Sequence, residues 1–150
     1  AAALGVLTLN TDGSSKGNRG VCGGGGVLHD SNAHPLVAFS SFLGNTSSLL
    51  AEALALLLGL QLCFQKGFEQ VCEQSNSLVL IGILQQHFHC PWHTCREVRQ
   101  IWQLVADSSR FSHCFRETNK VADALSNVGI SHPHDHVRIY DHLHTIPQLA

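Results

Sequence analysis

Three acidic residues lie in sequence surroundings that offer them no obvious structural partner. Asp12 ends an apolar, strand-like stretch, Glu52 interrupts the almost wholly apolar stretch 49–58, and Asp123 lies in a helix-like segment of mainly small and apolar residues. A buried charge without a partner costs several kcal/mol, roughly, and such a group usually becomes neutral instead. Three carboxylates in such surroundings therefore favour a site in which they share a cation.

The composition predicts one compact domain. The chain has 150 residues, of which 44% are hydrophobic and 13% charged, enough for one well-filled core. Its net charge is -2, and it contains no run of basic residues. Strong non-specific binding of nucleic acid normally needs clustered Lys and Arg. Any role with nucleic acid should therefore depend on a local site and not on a charged surface.

The sequence predicts no membrane association. Glu52, Gly59 and Gln61 interrupt the longest apolar run, and the first residues lack the basic start of a signal peptide. The six cysteines are spread along the chain without a CxxC pair, which favours free thiols over a disulfide framework. We therefore expect an intracellular location, nuclear or cytoplasmic.

Hydrophobic periodicity and turn residues predict five strands and four helices. The predicted strands are 6–12, 21–29, 34–42, 68–73 and 111–115, and the predicted helices are 48–65, 75–84, 94–106 and 118–128. This order fits an α/β domain in which three strands form an antiparallel meander and the later strands add in parallel. We expect the strand with Asp12 to be central, with the strand before Asn76 parallel beside it.

Five segments of the chain resemble a ribonuclease H domain, in family order and spacing. The resemblance is greatest to the plant ribonuclease H-like domain of the non-LTR retrotransposon, reverse transcriptase-associated type. It implies a five-stranded mixed sheet flanked by helices in residues 1–130, followed by a C-terminal extension in 131–150. The segments are 9–18, 25–30, 51–56, 76–80 and 116–125.

The resemblance also implies an activity, which is metal-dependent hydrolysis of the RNA strand of an RNA–DNA hybrid. Two Mg²⁺ ions would activate a water and stabilise the leaving oxygen, and Asp12, Glu52 and Asp123 would bind them. The implied catalytic residues are Asp12, Glu52, Asn76 and Asp123. Those implied in substrate binding are Gly13, Ser14, Ser47, Ser48 and Asn119, with His113 as a possible auxiliary group.

Asn76 departs from the family pattern, which has an aspartate at this position. The substitution lowers the formal charge of the site from four negatives to three, so we expect weaker Mg²⁺ binding and impaired hydrolysis. Glu73 is no replacement, because an offset of three residues in a strand points to the opposite face. The alternative functions are a catalytically inactive module that binds nucleic acid or protein, and a nonfunctional remnant of a retroelement.

Each candidate residue also has an ordinary structural interpretation. Asp12 could belong to a turn, Asp123 could complement the positive end of a helix, Asn76 could cap a helix, and His113 could be a half-exposed strand residue. A second group of metal-binding residue types has irregular spacing for structural zinc, and we expect no zinc site there. It consists of His87, His89, Cys90, His93 and Cys95.

Overall fold

The computed structural model describes residues 5–16 and 20–141, which form six strands and four α-helices. Two short 3₁₀ turns, Ser108–Arg110 and Arg116–Asn119, precede β5 and α4 respectively. The strands are β1 (Leu7–Ser15), β2 (Val21–His29), β3 (Pro35–Asn45), β4 (Val71–Ser75), β5 (Phe111–His113) and β6 (Val137–Tyr140). The helices are α1 (Ser48–Gln65), α2 (Leu78–Leu84), α3 (Cys95–Leu104) and α4 (Lys120–Ile130).

The strands form one mixed sheet in the order β5-β4-β1-β2-β3-β6. Strands β1, β2 and β3 pair antiparallel, whereas β4 lies parallel to β1 and β5 lies parallel to β4. This arrangement confirms the predicted α/β fold, the internal position of β1 and the parallel neighbour that precedes Asn76.

The sixth strand is the one difference from the predicted five-stranded sheet. Residues 137–140 pair antiparallel with β3, and the amide of Phe42 donates to the carbonyl of His136 at 3.2 Å. Alternating exposed and half-buried side chains suit residues 137–140 to the edge of a sheet. The predicted extension therefore contributes a strand to the domain, and residues 142–150 lie outside the described part.

Helices α1 and α4 lie on opposite faces of the sheet, which follows from the alternation of strand residues. A Cβ added to Gly24 would be 3.2 Å from Ala55 of α1, whereas one added to Gly25 would be 2.4 Å from the backbone nitrogen of Ser126 in α4. Glycine at Gly25 therefore lets α4 approach the sheet closely. This approach brings the first turn of α4 over β1.

Helix α1 packs in the core against β1, β2 and α3. Its bounds are those predicted, from the Ser47 cap, which accepts a hydrogen bond from the amide of Leu50, to Lys66 and Gly67, where φ is +88°. By length and composition alone, α1 is also long and apolar enough to cross a membrane. A core helix of a soluble domain has the same properties, and half of α1 is buried.

Three of the local predictions near the site were wrong. Strand β1 continues to Ser15, so Asp12 lies within the strand and not in a turn. The cap of α2 is Ser77, whose hydroxyl accepts from the amide of Leu80, and not Asn76. The last helix was predicted as 118–128, whereas α4 runs from Lys120 to Ile130 and includes Gly129, whose missing side chain lets the helix contact the backbone of Ser41 in β3.

Candidate functional site

Asp12 and Asn76 occupy equivalent places on two adjacent parallel strands. In the register of β1 and β4, Thr11 pairs with Ser75, and each is followed at once by one of the two candidate residues. Both side chains therefore start from the same edge of the sheet, as predicted. Asp12 is buried, with 4% of its surface exposed, and Asn76 is half-buried.

Glu52 reaches this edge from the second turn of α1, and its carboxyl is hydrogen-bonded to that of Asp12. Gly13 permits the approach, because a Cβ there would lie 2.7 Å from the carbonyl carbon of Ala51 and 2.8 Å from the backbone nitrogen of Glu52. The backbone amide of Gly13 also hydrogen-bonds to the two carboxyl groups. The predicted substrate residue Gly13 therefore has a clear structural role in joining strand and helix.

Asp123 reaches the same place from the first turn of α4, on the opposite face of the sheet, and it is exposed. Its carboxyl lies against that of Asp12 and is 3.4 Å from the hydroxyl of Ser14. Ser14 also hydrogen-bonds to the hydroxyl of Ser126, one helical turn along α4. Asp12 is thus the shared member of two carboxyl contacts, one with each helix.

Burial raises the pKa of Asp12 and the pKa of Glu52 above their ordinary values. The negative charge of Asp12 raises the pKa of Glu52 further, while the hydrogen bond from Glu52 opposes the rise at Asp12. Since both pKa values are raised, the two carboxyl groups share a proton in the hydrogen bond between them. The second oxygen of Glu52, Oε2, is buried without a hydrogen-bond partner.

The donor chemistry of this cluster fits a hard divalent cation. Three carboxylates are the oxygen ligands that Mg²⁺ takes in proteins, and the unpartnered Glu52 Oε2 offers a buried acceptor. Within residues 5–16 and 20–141, however, no three His, Cys, Asp or Glu side chains are grouped so that they could hold a metal ion. Asp12 contacts Glu52 and Asp123 separately, so the three do not surround one point in this conformation.

Asn76 joins the site through Asn119 and not through direct contact with a carboxylate. The side-chain amide of Asn119 donates to Asn76 Oδ1 at 3.0 Å and to the carbonyl of Thr11 at 2.9 Å. Asn119 is buried, with 1% of its surface exposed. Its predicted substrate contact stays a prediction, since here its amide is engaged entirely within the protein.

The remaining predicted residues surround this cluster. Ser47 and Ser48 are exposed at the start of α1, where the Ser47 hydroxyl accepts from the amide of Leu50 at 3.1 Å. His113 is half-buried in β5, paired with Ser75, and its ring packs edge-on against Phe115 with 5.8 Å between centroids. The structure therefore places His113 one residue from Asn76 across the sheet, and its auxiliary role stays a prediction.

Sequence reasoning missed the buried polar chain behind the site. Asn10 Nδ2 donates to Asn119 Oδ1 at 3.1 Å and to Gln74 Oε1 at 3.2 Å, and Asn10 Oδ1 lies 2.8 Å from His29 Nε2. The signal that could have found it is the polar residue at position 10, which shares a strand face with Asp12 two residues later. Its partners are far away in sequence, so the pairing itself was not visible.

Comparison with known proteins agrees with this fold. The family model described as "Reverse transcriptase-like" matches residues 10–129 of the chain. The chain belongs to this family. It is a ribonuclease H-like domain, as the resemblance implied.

One curated relative and two solved structures illustrate the similarity. The Arabidopsis thaliana protein named "Putative ribonuclease H protein At1g65750" is 31% identical over 130 residues, which are 85% of this chain and 21% of that protein. The chain thus spans about a fifth of the length of this relative. The structure of LC11-RNase H1 in complex with an RNA/DNA hybrid is 26% identical, with a TM-score of 0.75, over 83% of this chain and 96% of that one.

The second solved structure, RNase H1 from the halophilic archaeon Halobacterium salinarum NRC-1, has a TM-score of 0.76 and 23% identity. It covers 85% of this chain and 98% of that one. At this level of identity it supports the fold of the ribonuclease H-like domain.

Proposed function

We propose that this domain hydrolyses the RNA strand of RNA–DNA hybrids in a reaction that depends on divalent cations and that Asn76 slows. The observation that carries the proposal is the contact of Asp12 with Glu52 and Asp123, from β1, α1 and α4, in a ribonuclease H-like fold. A similar structure, that of LC11-RNase H1, contains an RNA/DNA hybrid, which supports this class of substrate.

Asp12, Glu52 and Asp123 would hold the cation. When bound, Mg²⁺ would supply a polarised water and stabilise the charge of the leaving oxygen. The residues of the chain orient the cluster: Gly13 brings Glu52 against the strand, and Ser14 hydrogen-bonds to Asp123. Asn119 fixes the backbone of Thr11, the residue before Asp12, which holds that carboxyl at the edge of the sheet.

Hybrid cleavage by three forms of the domain tests the proposal. Removing a group that orients a metal ligand typically costs about 10–100-fold in metal affinity or activity, and losing a charged ligand should cost more. We therefore expect Asn76→Asp to cleave a labelled hybrid at least about 100-fold faster than the natural chain in Mg²⁺, and Asp12→Asn to abolish cleavage.

The outcomes separate this function from its alternative, a hybrid-binding module without activity. Asn76 supports the alternative, because it presents no carboxylate, and so does the lack of a ready group of three metal ligands in the described part of the chain. Absence of cleavage by the natural chain and by Asn76→Asp, with hybrid binding intact, would favour that module. Equal cleavage by the two forms would show a catalytic route that does not pass through position 76.

We also propose that the domain derives from a plant retroelement and works inside the cell, in the nucleus or cytoplasm. The Arabidopsis relative supports a plant origin, and the match to the reverse transcriptase-like family supports a retroelement. The free state of all six cysteines, which lie in described segments, supports a location inside the cell. Fractionation of cells that express the full-length protein would test the location.

A further inference from the structure

The orientation of the Asn119 side chain is fixed by a main-chain group. Its Nδ2 lies 2.9 Å from the carbonyl oxygen of Thr11, which can only accept a hydrogen bond. The atom in that place must therefore be the nitrogen of the amide and not its oxygen. Asn10 agrees with this assignment, since its Nδ2 donates to Asn119 Oδ1 at 3.1 Å.

The orientation of Asn76 follows from that of Asn119. The second hydrogen of Asn119 Nδ2 points to Asn76 at 3.0 Å, so the Asn76 atom that receives it must be the oxygen Oδ1. The nitrogen Nδ2 of Asn76 is then the outer atom of this half-buried side chain. Among the described residues this nitrogen has no hydrogen-bond partner, and it is not one of the buried polar atoms that lack a partner, so it is accessible to solvent.

The outer atom decides which ligand position 76 can take. An aspartate here could accept from Asn119 with one oxygen and offer the other to a cation. Asparagine instead presents two N–H donors, which cannot bind a cation and are suited to an anionic oxygen. The Asn76 oxygen is turned inward to Asn119, so the atom that this side chain presents outward is its nitrogen.

We propose that Asn76 binds a non-bridging phosphate oxygen of the nucleic acid and is not a cation ligand. The cation would then be held by Asp12, Glu52 and Asp123 alone, and the Asn76 amide would hold the phosphate beside it. This inference deepens the proposed function and rests on it for the identity of the strand that carries the phosphate.

The first experiment counts bound cations. Mn²⁺ binding is measured by electron paramagnetic resonance in the natural chain, in Asn76→Leu and in Asn76→Asp. We expect Asn76→Leu to bind the same number of Mn²⁺ ions, with the same affinity, as the natural chain, and Asn76→Asp to bind one more. A loss of Mn²⁺ in Asn76→Leu, or an unchanged count in Asn76→Asp, would overturn the inference.

The second experiment measures hybrid binding by fluorescence anisotropy in saturating Ca²⁺. Leucine matches asparagine in size but has no donor, so Asn76→Leu should bind the hybrid about 10-fold more weakly, the ratio expected when one hydrogen bond to a charged group is lost. Equal hybrid binding by the natural chain and Asn76→Leu would refute the phosphate contact but leave the proposed function standing. If the natural chain binds no hybrid, the proposed function fails as well. The two failures therefore give different results.

Thermal melting accompanies both experiments, because leucine leaves one N–H of Asn119 without an acceptor. Asn76→Asp keeps that acceptor, so its Mn²⁺ count decides the question if Asn76→Leu does not fold. The side-chain amide signal of Asn76 in a ¹⁵N spectrum gives a direct reading in the natural chain. It should shift when hybrid is added in Ca²⁺ and should stay in place when Ca²⁺ is added alone.

Discussion

Glu73 provides a quantitative test of the core, away from the candidate site. Its side chain lies in β4 with 1% of its surface exposed, and Oε1 is 3.0 Å from Arg110 Nη2. The other oxygen, Oε2, is buried without a partner. Burial raises the pKa of Glu73 from 4.5 to about 7, although the neighbouring Arg110 opposes the rise. Burial therefore outweighs the ion pair.

The sign and size of the effect on stability follow from this pKa. Between pH 4.5 and about 7 the folded state holds the Glu73 proton more tightly than the unfolded state does, so the free energy of unfolding falls as pH rises. The contribution is complete below pH 4.5 and is lost above about pH 7. One pKa unit corresponds to about 1.4 kcal/mol, so the whole loss is about 3 kcal/mol.

Glu73→Gln should remove this loss, because glutamine is neutral at every pH in the range. We expect the variant to match the natural chain near pH 4.5 and to be about 3 kcal/mol more stable at pH 8. The assay is urea unfolding of both proteins at half-unit steps from pH 4.5 to 8. At each pH, subtracting the free energy of unfolding of the natural chain from that of the variant cancels the contribution of the other titrating groups, which the two proteins share.

Glu69→Gln is the matched control, since Glu69 is exposed shortly before the same strand. It is measured over the same pH range, and the effect of Glu73 is the part of the pH dependence that Glu69→Gln does not share. A pH-independent difference for Glu73→Gln would refute the reasoning, since it would mean that burial does not hold the Glu73 proton. A difference of opposite sign would mean that the ion pair with Arg110 outweighs burial.

Three further predictions concern the packing and the site. Gly129→Ala should lower the free energy of unfolding by about 1–3 kcal/mol, because the added Cβ would lie 2.2 Å from the carbonyl oxygen of Ser41. The control, Asn127→Ala on the exposed face of α4, should change it little. Equal urea midpoints for Gly129→Ala and the natural chain would contradict this. In EDTA, Asn76→Asp should melt at a lower temperature than the natural chain, because a fourth carboxylate is added beside Asp12, Glu52 and Asp123. In Mg²⁺ the variant should melt at the higher temperature of the two. If the variant still melts lower in Mg²⁺, that result would count against a cation at this cluster. Under native conditions a thiol reagent should quickly modify the three half-buried cysteines, Cys72, Cys90 and Cys95. The three buried cysteines, Cys22, Cys63 and Cys114, should react only on unfolding. Mass spectrometry counts the modified residues, and equal rates for all six would contradict the burial pattern.

The order of elements could be predicted because it depends on local sequence. The bounds of α1 were predicted correctly, since its cap at Ser47 and its glycine at Gly67 act within a few residues of the helix ends. The start of β4 was predicted three residues too early, at Phe68 and not at Val71. Hydrophobicity alone does not show where a segment begins to pair with its neighbour, and pairing with Leu7 of β1 fixes that start.

The sequence by itself determined which residues could form the site. Asp12, Glu52 and Asp123 stood out because carboxylates in apolar or structured segments need a partner, and this property is local. The sixth strand was not predicted, because four residues with alternating exposure become a strand only when the free edge of β3 lies beside them. Edge pairing is a contact between segments about 100 residues apart, which no local pattern specifies.

Only the tertiary structure decided what Asn76 presents to the site. The sequence shows an amide in place of a carboxylate, but an amide has a donor end and an acceptor end. The choice between them depends on Asn119, which is itself oriented by the backbone carbonyl of Thr11. These groups meet only when β1, β4 and the start of α4 pack together, because hydrogen-bond direction is set by the positions of atoms in space and not by their order along the chain.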